Sequence, residues 1–188
     1  TIPETFFSLF LVKFNVSRNG APICTASIRD NVRSEAAAAI MEVQKAGVQV
    51  VMVTGDRRET AAAIAKEANL ITDTNNVVLT SSELNQMSDD EVKAILPKLS
   101  VVARALPTDK SRLVRLAQDL NYVVGMTGDG VNDSPALKKA DVGFAMGSGT
   151  EAAKEAGDIT ILDDNFAYVE KFVEIAIDEY QDSNLVQE

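Results

Sequence analysis

The sequence contains no histidine and no tryptophan, a single cysteine, and fewer basic than acidic residues. Without histidine a Ser-His-Asp triad is impossible. With Cys24 alone, no internal disulfide can form and a zinc site lacks its usual ligands. Cys24 therefore reads as a small core residue, and a reducing compartment fits. Any acid–base work falls to carboxylates or lysine. The 18 basic residues against 28 acidic ones give a net charge of −10. No basic stripe exists to neutralise a nucleic-acid backbone, so nucleic acid is not expected as a partner. No apolar run approaches the roughly 20 residues of a membrane helix, so no membrane span is expected. The apolar stretch in residues 1–16 has no basic flank before it, so it does not read as a signal peptide. The chain opens on Thr1 instead of methionine, as an excised piece would.

What is present fits one globular domain: 188 residues, of which 46% are hydrophobic. Within it we expect an N-terminal strand or hairpin region over 1–29, a main segment over 30–166, and a C-terminal helix and tail over 167–188. Residues 6–16 read as a strand, followed by the turn signal Asn19-Gly20 and a second strand over 22–28. Thereafter strands and helices alternate. Short apolar runs at 48–53, 77–79, 101–103, 122–126, 142–145 and 159–162 read as strands. Between them lie helical stretches at 34–45, 59–68, 88–96, 111–120, 134–140 and 152–156, with a last one at 166–180. The pattern predicts an α/β fold: a three-layer Rossmann-like, mostly parallel sheet with helices on both faces.

Two of these strands end alike. Val50–Val53 runs into Thr54-Gly55-Asp56, and the run at 122–126 continues as Thr127-Gly128-Asp129-Gly130-Val131-Asn132-Asp133. Carboxylates and glycines at the carboxyl ends of parallel strands are where an open α/β sheet presents a site. Asp129, Asn132 and Asp133 supply hard oxygen atoms that suit Mg²⁺, and exposed backbone N–H groups beside them suit phosphate. Asp129 is the best metal-ligand candidate; Asn132 and Asp133 are placed to orient a phosphate, a lysine or a metal-bound water. The Thr54 hydroxyl and the Gly55 N–H are candidates to hold a phosphoryl oxygen at a helix N-terminus; a plain helix cap is the competing reading. Lys110 opens a helix, the end a lysine normally avoids. Pointed back at the site, its ammonium would neutralise a phosphate; otherwise it is a solvated surface lysine.

These motifs together resemble the phosphorylation domain of P-type ion-pumping ATPases, within the haloacid-dehalogenase-like superfamily. M-V-T-G-D at 52–56 resembles that family's second motif, and A-R-A-L-P-T-D-K at 103–110 its lysine motif. T-G-D-G-V-N-D-S-P-A-L-K-K-A-D-V-G at 127–143 resembles its hinge signature. A-M-G-S-G-T-E-A-A-K-E-A at 145–156 and L-D-D-N-F at 162–166 continue the match. I-R-D-N-V-R at 28–33 resembles the re-entry from the family's nucleotide-binding insertion, with Asn31 where proline is usual. Among subfamilies, calcium pumps look most similar. The resemblance implies that ATP phosphorylates an aspartate with Mg²⁺ bridging, that water later removes the phosphoryl group, and that the cycle drives ion transport. It further implies that Thr54 binds the phosphate, Lys110 stabilises its charge, Asp129 ligates Mg²⁺, Asn132 and Asp133 support that site, and Asp56 orders the second motif. The implied partners are the nucleotide-binding and membrane domains of a parent pump, on the cytoplasmic side of a membrane.

The sequence departs from the family in one respect: D-K-T-G-T, the nucleophile motif, does not occur in it. In the family that strand lies between those ending at Thr54 and Thr127. The chain alone is therefore expected to be inactive, with residues 9–16 or a partner segment filling the vacant position, or else residues 9–16 forming an edge hairpin and the position staying open. A soluble haloacid-dehalogenase-type phosphatase and a non-catalytic regulatory protein are the alternative readings.

Overall fold

A computed structural model describes residues 12–18, 21–28, 34–45, 47–72 and 74–163. The expected helix over 166–180 and the tail beyond it lie outside the described residues.

Strands β1 (Val12–Arg18) and β2 (Ala21–Ile28) form an antiparallel hairpin, with Val12 opposite Ile28 and a register shift after Val16. This is the hairpin alternative. Among the described residues β1 pairs with β2 alone, so Val12–Val16 does not fill a position in either parallel sheet; residues 9–11 lie outside the described residues.

After helix α1 (Ser34–Lys45) the chain builds two parallel three-stranded sheets. In the first, β3 (Met52–Val53), β5 (Leu99–Ala103) and β4 (Val77–Thr80) lie in that spatial order. Its crossovers are α2 (Arg58–Glu67), then α3 (Ser81–Gln86) with α4 (Asp89–Ile95). Helix α5 (Pro107–Asp119) leads to the second sheet, which runs β6 (Gly125–Gly128), β7 (Val142–Met146), β8 (Ile159–Ile161). Helices α6 (Ser134–Leu137) and α7 (Glu151–Ala156) make its crossovers.

Strand β5 is buried along its whole length. Alternate side chains of a strand point to opposite faces. Val101 and Ala103 pack with Ile40, Ala61, Ile64 and Ala65 of α1 and α2. Val102 packs with Leu84, Val92, Leu113 and Leu116 of α3, α4 and α5. One sheet thus carries helices on both faces, and the three-layer α/β architecture read from the sequence is the one found.

In the second sheet one device repeats. Asp141 donates its N–H to the Val124 carbonyl (2.9 Å), and its carboxylate accepts the Val124 N–H (2.8 Å). Asp158 does the same to Gly143, at 2.8 Å for both bonds. Each aspartate brackets the preceding strand and so sets the parallel register.

The bracket at Val124 corrects one expectation. The apolar run at Tyr122 was read as buried strand, but β6 starts only at Gly125, opposite Val142. Val123 is 85% exposed and Tyr122 45%. The Tyr122 N–H closes the end of α5 on the Ala117 carbonyl, so this residue belongs to the connection. Strand β3 is likewise shorter than its apolar run. Both β3 and β6 are outer strands, each paired on one edge only among the described residues. No described helix is long and apolar enough to cross a membrane.

Candidate functional site

Thr54 follows β3 directly and is buried at 7% exposure. Its N–H donates to the Val102 carbonyl, and its own carbonyl accepts the Ala105 N–H, both at 2.9 Å. The Thr54 hydroxyl donates to the Asp56 carboxylate (3.0 Å) and accepts the Asp56 N–H (3.2 Å). Thr54 is therefore no helix cap: α2 begins at Arg58 after Arg57 as its N-cap residue. The turn Thr54-Gly55-Asp56 stands between strand and helix, which also places Gly55 ahead of the helix N-terminus proper and not in its first turn. The geometry has Asp56 orienting the hydroxyl that the sequence had singled out.

The loop leaving β5 crosses this turn. Arg104 takes a left-handed backbone conformation (φ 51°) and donates its N–H to the Asp56 carbonyl at 2.8 Å. Ala105 then bonds Thr54, and Pro107 starts α5 at a position where a missing N–H has no consequence. Asp109, 1% exposed, accepts the Leu106 N–H (2.8 Å) and the Asn85 amide (3.0 Å). A buried carboxylate in the first turn offsets the positive end of the helix dipole. That explains how a lysine is tolerated in the next position.

Lys110 does not face solvent. Its Nζ forms a close ion pair with Asp133 Oδ1, the two side chains being 17% and 9% exposed. The other oxygen of Asp133 accepts the N–H groups of Asp129 (3.3 Å) and Gly130 (3.2 Å). Gly128 is required here for space: a Cβ on it would stand 2.4 Å from that of Asp133. Asp133 thus ties the lysine to the 128–130 turn. Asp129 is half-buried on that turn, and Asn132 is exposed at its rim.

These contacts link the two groups through one segment. The loop leaving β5 touches Thr54 at Ala105 and leads into α5, whose Lys110 pairs with Asp133, which holds Asp129. Thr54 and Asp56 form one contacting group; Lys110, Asp133 and Asp129 form the other. The donor chemistry fits Mg²⁺. Asp129 offers a hard carboxylate oxygen, and Mg²⁺ commonly binds through one or two carboxylates, phosphate oxygens and retained waters. Among the described residues no three carboxylates or thiols gather into a metal cage.

Three residues in contact with these turns, Gly149, Thr150 and Arg104, escaped the sequence reading. The Thr150 N–H donates to the Asp129 carbonyl at 2.8 Å, and Gly149 lies against the same main chain. Their signal was the G-S-G-T spacing after β7. Arg104 was the other miss, since a left-handed arginine has no sequence signature.

The sequence model of the haloacid dehalogenase-like hydrolases matches residues 8–141, and a second model of the same description matches 112–173. The chain belongs to this family. Within it, the chain is similar to P-type ATPases. It is 47% identical over 136 residues to Calcium-transporting ATPase 1 of Lactococcus lactis, covering 72% of this chain and 15% of that protein. It is 48% identical over 147 residues to Calcium-transporting ATPase 2 of Schizosaccharomyces pombe, covering 78% of this chain and 11% of that protein. A crystal structure of a zinc-transporting PIB-type ATPase in its E2·Pi state superimposes with a TM-score of 0.65 at 31% identity, over 86% of this chain and 22% of that one. The chain thus spans a small part of each of these proteins.

Proposed function

We propose that this chain is the part of a P-type cation pump's phosphorylation domain that holds the phosphoryl group and Mg²⁺, with a calcium pump the favoured parent. The observation that carries this reading is the Lys110–Asp133 pair, bonded to the Asp129 turn and joined to Thr54 by one short loop. A cation, a hydroxyl and a carboxylate at one strand end suit a phosphoryl group and its counter-ion. Lys110 neutralises the phosphoryl charge. Thr54, still held by the Asp56 N–H, turns its hydroxyl hydrogen from the Asp56 carboxylate to a phosphoryl oxygen, with the Gly55 N–H beside it. Asp133 keeps the Lys110 ammonium in place, and Asn132 lies at the rim. Asp129 holds Mg²⁺, which supplies Lewis-acid stabilisation of phosphate charge when bound. The nucleophilic aspartate comes from sequence outside these residues, on a strand that inserts between β3 and β6; among the described residues each of these strands is paired on one edge only, which is consistent with that. In the full pump ATP is the phosphoryl donor, the nucleotide-binding and membrane domains are partners, and the site works on the cytoplasmic side of the membrane.

The test combines two measurements on the chain as it stands. With Mg²⁺ and a generic aryl phosphate, no turnover is expected. Mg²⁺ with inorganic phosphate should raise the melting temperature, and Asp129→Ala should abolish that rise. Robust turnover lost in Asp129→Ala would instead establish a soluble phosphatase. Absence of any Mg²⁺-dependent stabilisation would favour a non-catalytic role.

A further inference from the structure

The loop between β7 and α7 has no part in the roles assigned so far, yet it is built onto Asp129. A Cβ added to Gly149 would stand 2.8 Å from the Asp129 carbonyl oxygen, 3.0 Å from the Asp129 Cα and 2.9 Å from the Met146 carbonyl oxygen. All three are main-chain atoms and cannot swing aside as a flexible side chain would. The next residue, Thr150, donates its N–H to the same Asp129 carbonyl at 2.8 Å. Thr150 is itself fixed, because its hydroxyl accepts the Ala153 N–H at 3.3 Å and caps α7. On the opposite side, the Asp129 N–H is held by the Asp133 carboxylate at 3.3 Å. The Asp129 main chain is therefore gripped at its N–H, its Cα flank and its carbonyl.

We propose that Gly149 and Thr150 are positioning residues that hold the Asp129 carboxylate in place for a divalent cation. This rests on the reading of Asp129 as the cation's ligand. The physical reason is the strictness of Mg²⁺, which demands near-octahedral oxygen geometry at about 2.0–2.1 Å. A displacement of a few tenths of an ångström at the Asp129 backbone is then felt at the cation, although neither Gly149 nor Thr150 touches it.

Gly143 supplies a graded comparison. A Cβ on it would also meet a carbonyl oxygen at 2.8 Å, that of Leu137, whose N–H is bonded to the Asp133 carbonyl. Gly143→Ala therefore introduces one such clash that reaches the turn only through Asp133, whereas Gly149→Ala clashes with Asp129 itself. The experiment titrates the isotopically labelled chain with Mn²⁺ and follows paramagnetic broadening of amide resonances. The wild type should broaden around residues 128–133, and Asp129→Asn should not. Gly149→Ala should bind Mn²⁺ about tenfold more weakly, the usual size of an outer-shell effect, and lose exchange protection at the Thr150 amide. Gly143→Ala should weaken binding less than Gly149→Ala does. Broadening retained in Asp129→Asn overturns the ligand reading and the inference with it. Broadening lost in Asp129→Asn but unchanged affinity in Gly149→Ala overturns the inference alone. Should Gly149→Ala fail to fold, the wild type decides: saturating Mg²⁺ must shift the Thr150 amide resonance and slow its exchange, and an unmoved amide overturns the proposal.

Discussion

Asp133→Asn is the change that most directly probes the site's construction. It keeps the shape and leaves an oxygen to accept the Asp129 and Gly130 N–H groups, but removes the charge opposite Lys110. The magnitude follows from burial. Lys110 and Asp133 side chains are 17% and 9% exposed, so the pair is largely desolvated. Removing one partner of a buried pair destabilises by about 3–5 kcal/mol, against about 0–1 kcal/mol for a surface pair. The residual exposure of Lys110 puts the expected loss near the lower buried figure, about 3 kcal/mol. With a urea slope of about 1–3 kcal/mol/M, the unfolding midpoint should fall by about 1 M or more at unchanged slope. Lys110→Met should also destabilise, since it strands the Asp133 carboxylate with two amide donors. The double variant should lose less than the two single losses combined, because neither charge is then left alone; a coupling of about 1–2 kcal/mol is expected. Urea unfolding of the four proteins measures all of this. A midpoint unmoved in Asp133→Asn, or additivity within about 0.5 kcal/mol, would refute the view that Asp133 is the anchor of Lys110.

Three further outcomes are expected. Arg104→Gly relieves a left-handed backbone that a side chain disfavours, so it should stabilise by up to about 1 kcal/mol in thermal unfolding, whereas a loss of that size would mean the guanidinium holds the loop. Thr80 and Ser88 each cap a helix in a reciprocal box with Glu83 and Glu91; Thr80→Ala and Ser88→Ala should each lose about 1 kcal/mol by urea midpoint, and a neutral result would show that the boxes contribute nothing in solution. The Asp89 carboxyl lies below its ordinary value chiefly through the Arg115 hydrogen bond and then that of Arg112, Asp119 through Lys93, and Glu91 through the Ser88 N–H. A depressed folded value means stability that is present above the unfolded value of about 4 and is lost as pH falls through the folded one. The urea midpoint should therefore drop below about pH 4, and Asp89→Asn should flatten that drop.

The fold was largely legible because its helices and strands are set by local pattern. Unbroken apolar runs bounded by Gly, Asn and capping residues gave the β5 core strand, the α4 start and the alternation that demands a parallel sheet, whereas residues 81–84 read as a turn where α3 in fact starts on its Thr80 cap. The errors came where pairing, and not local pattern, decides. Val123 reads as core, yet β6 begins only where Asp141 fixes its register against β7, so the valine stays outside the ladder. In the site, Thr54, Asp56 and the turn holding Asp129 were visible because each follows a strand directly. Asp133 was legible as a residue that could orient a phosphate, a lysine or a water, but not which of them it meets: the pairing with Lys110 spans 23 residues across α5 and β6.

The same distinction explains why Lys110 looked misplaced. Read locally, a lysine in the first turn of a helix opposes the helix dipole. Read in three dimensions, Asp109 offsets the dipole from within the turn, and Asp133 receives the ammonium from a different sheet. Asp133 holds the ammonium against its local preference, while the Asp109 carboxylate bonds the Leu106 N–H and the Asn85 amide and acts on the dipole. Under the proposed function this placement has a reason: the ammonium is kept where it would meet a phosphoryl group.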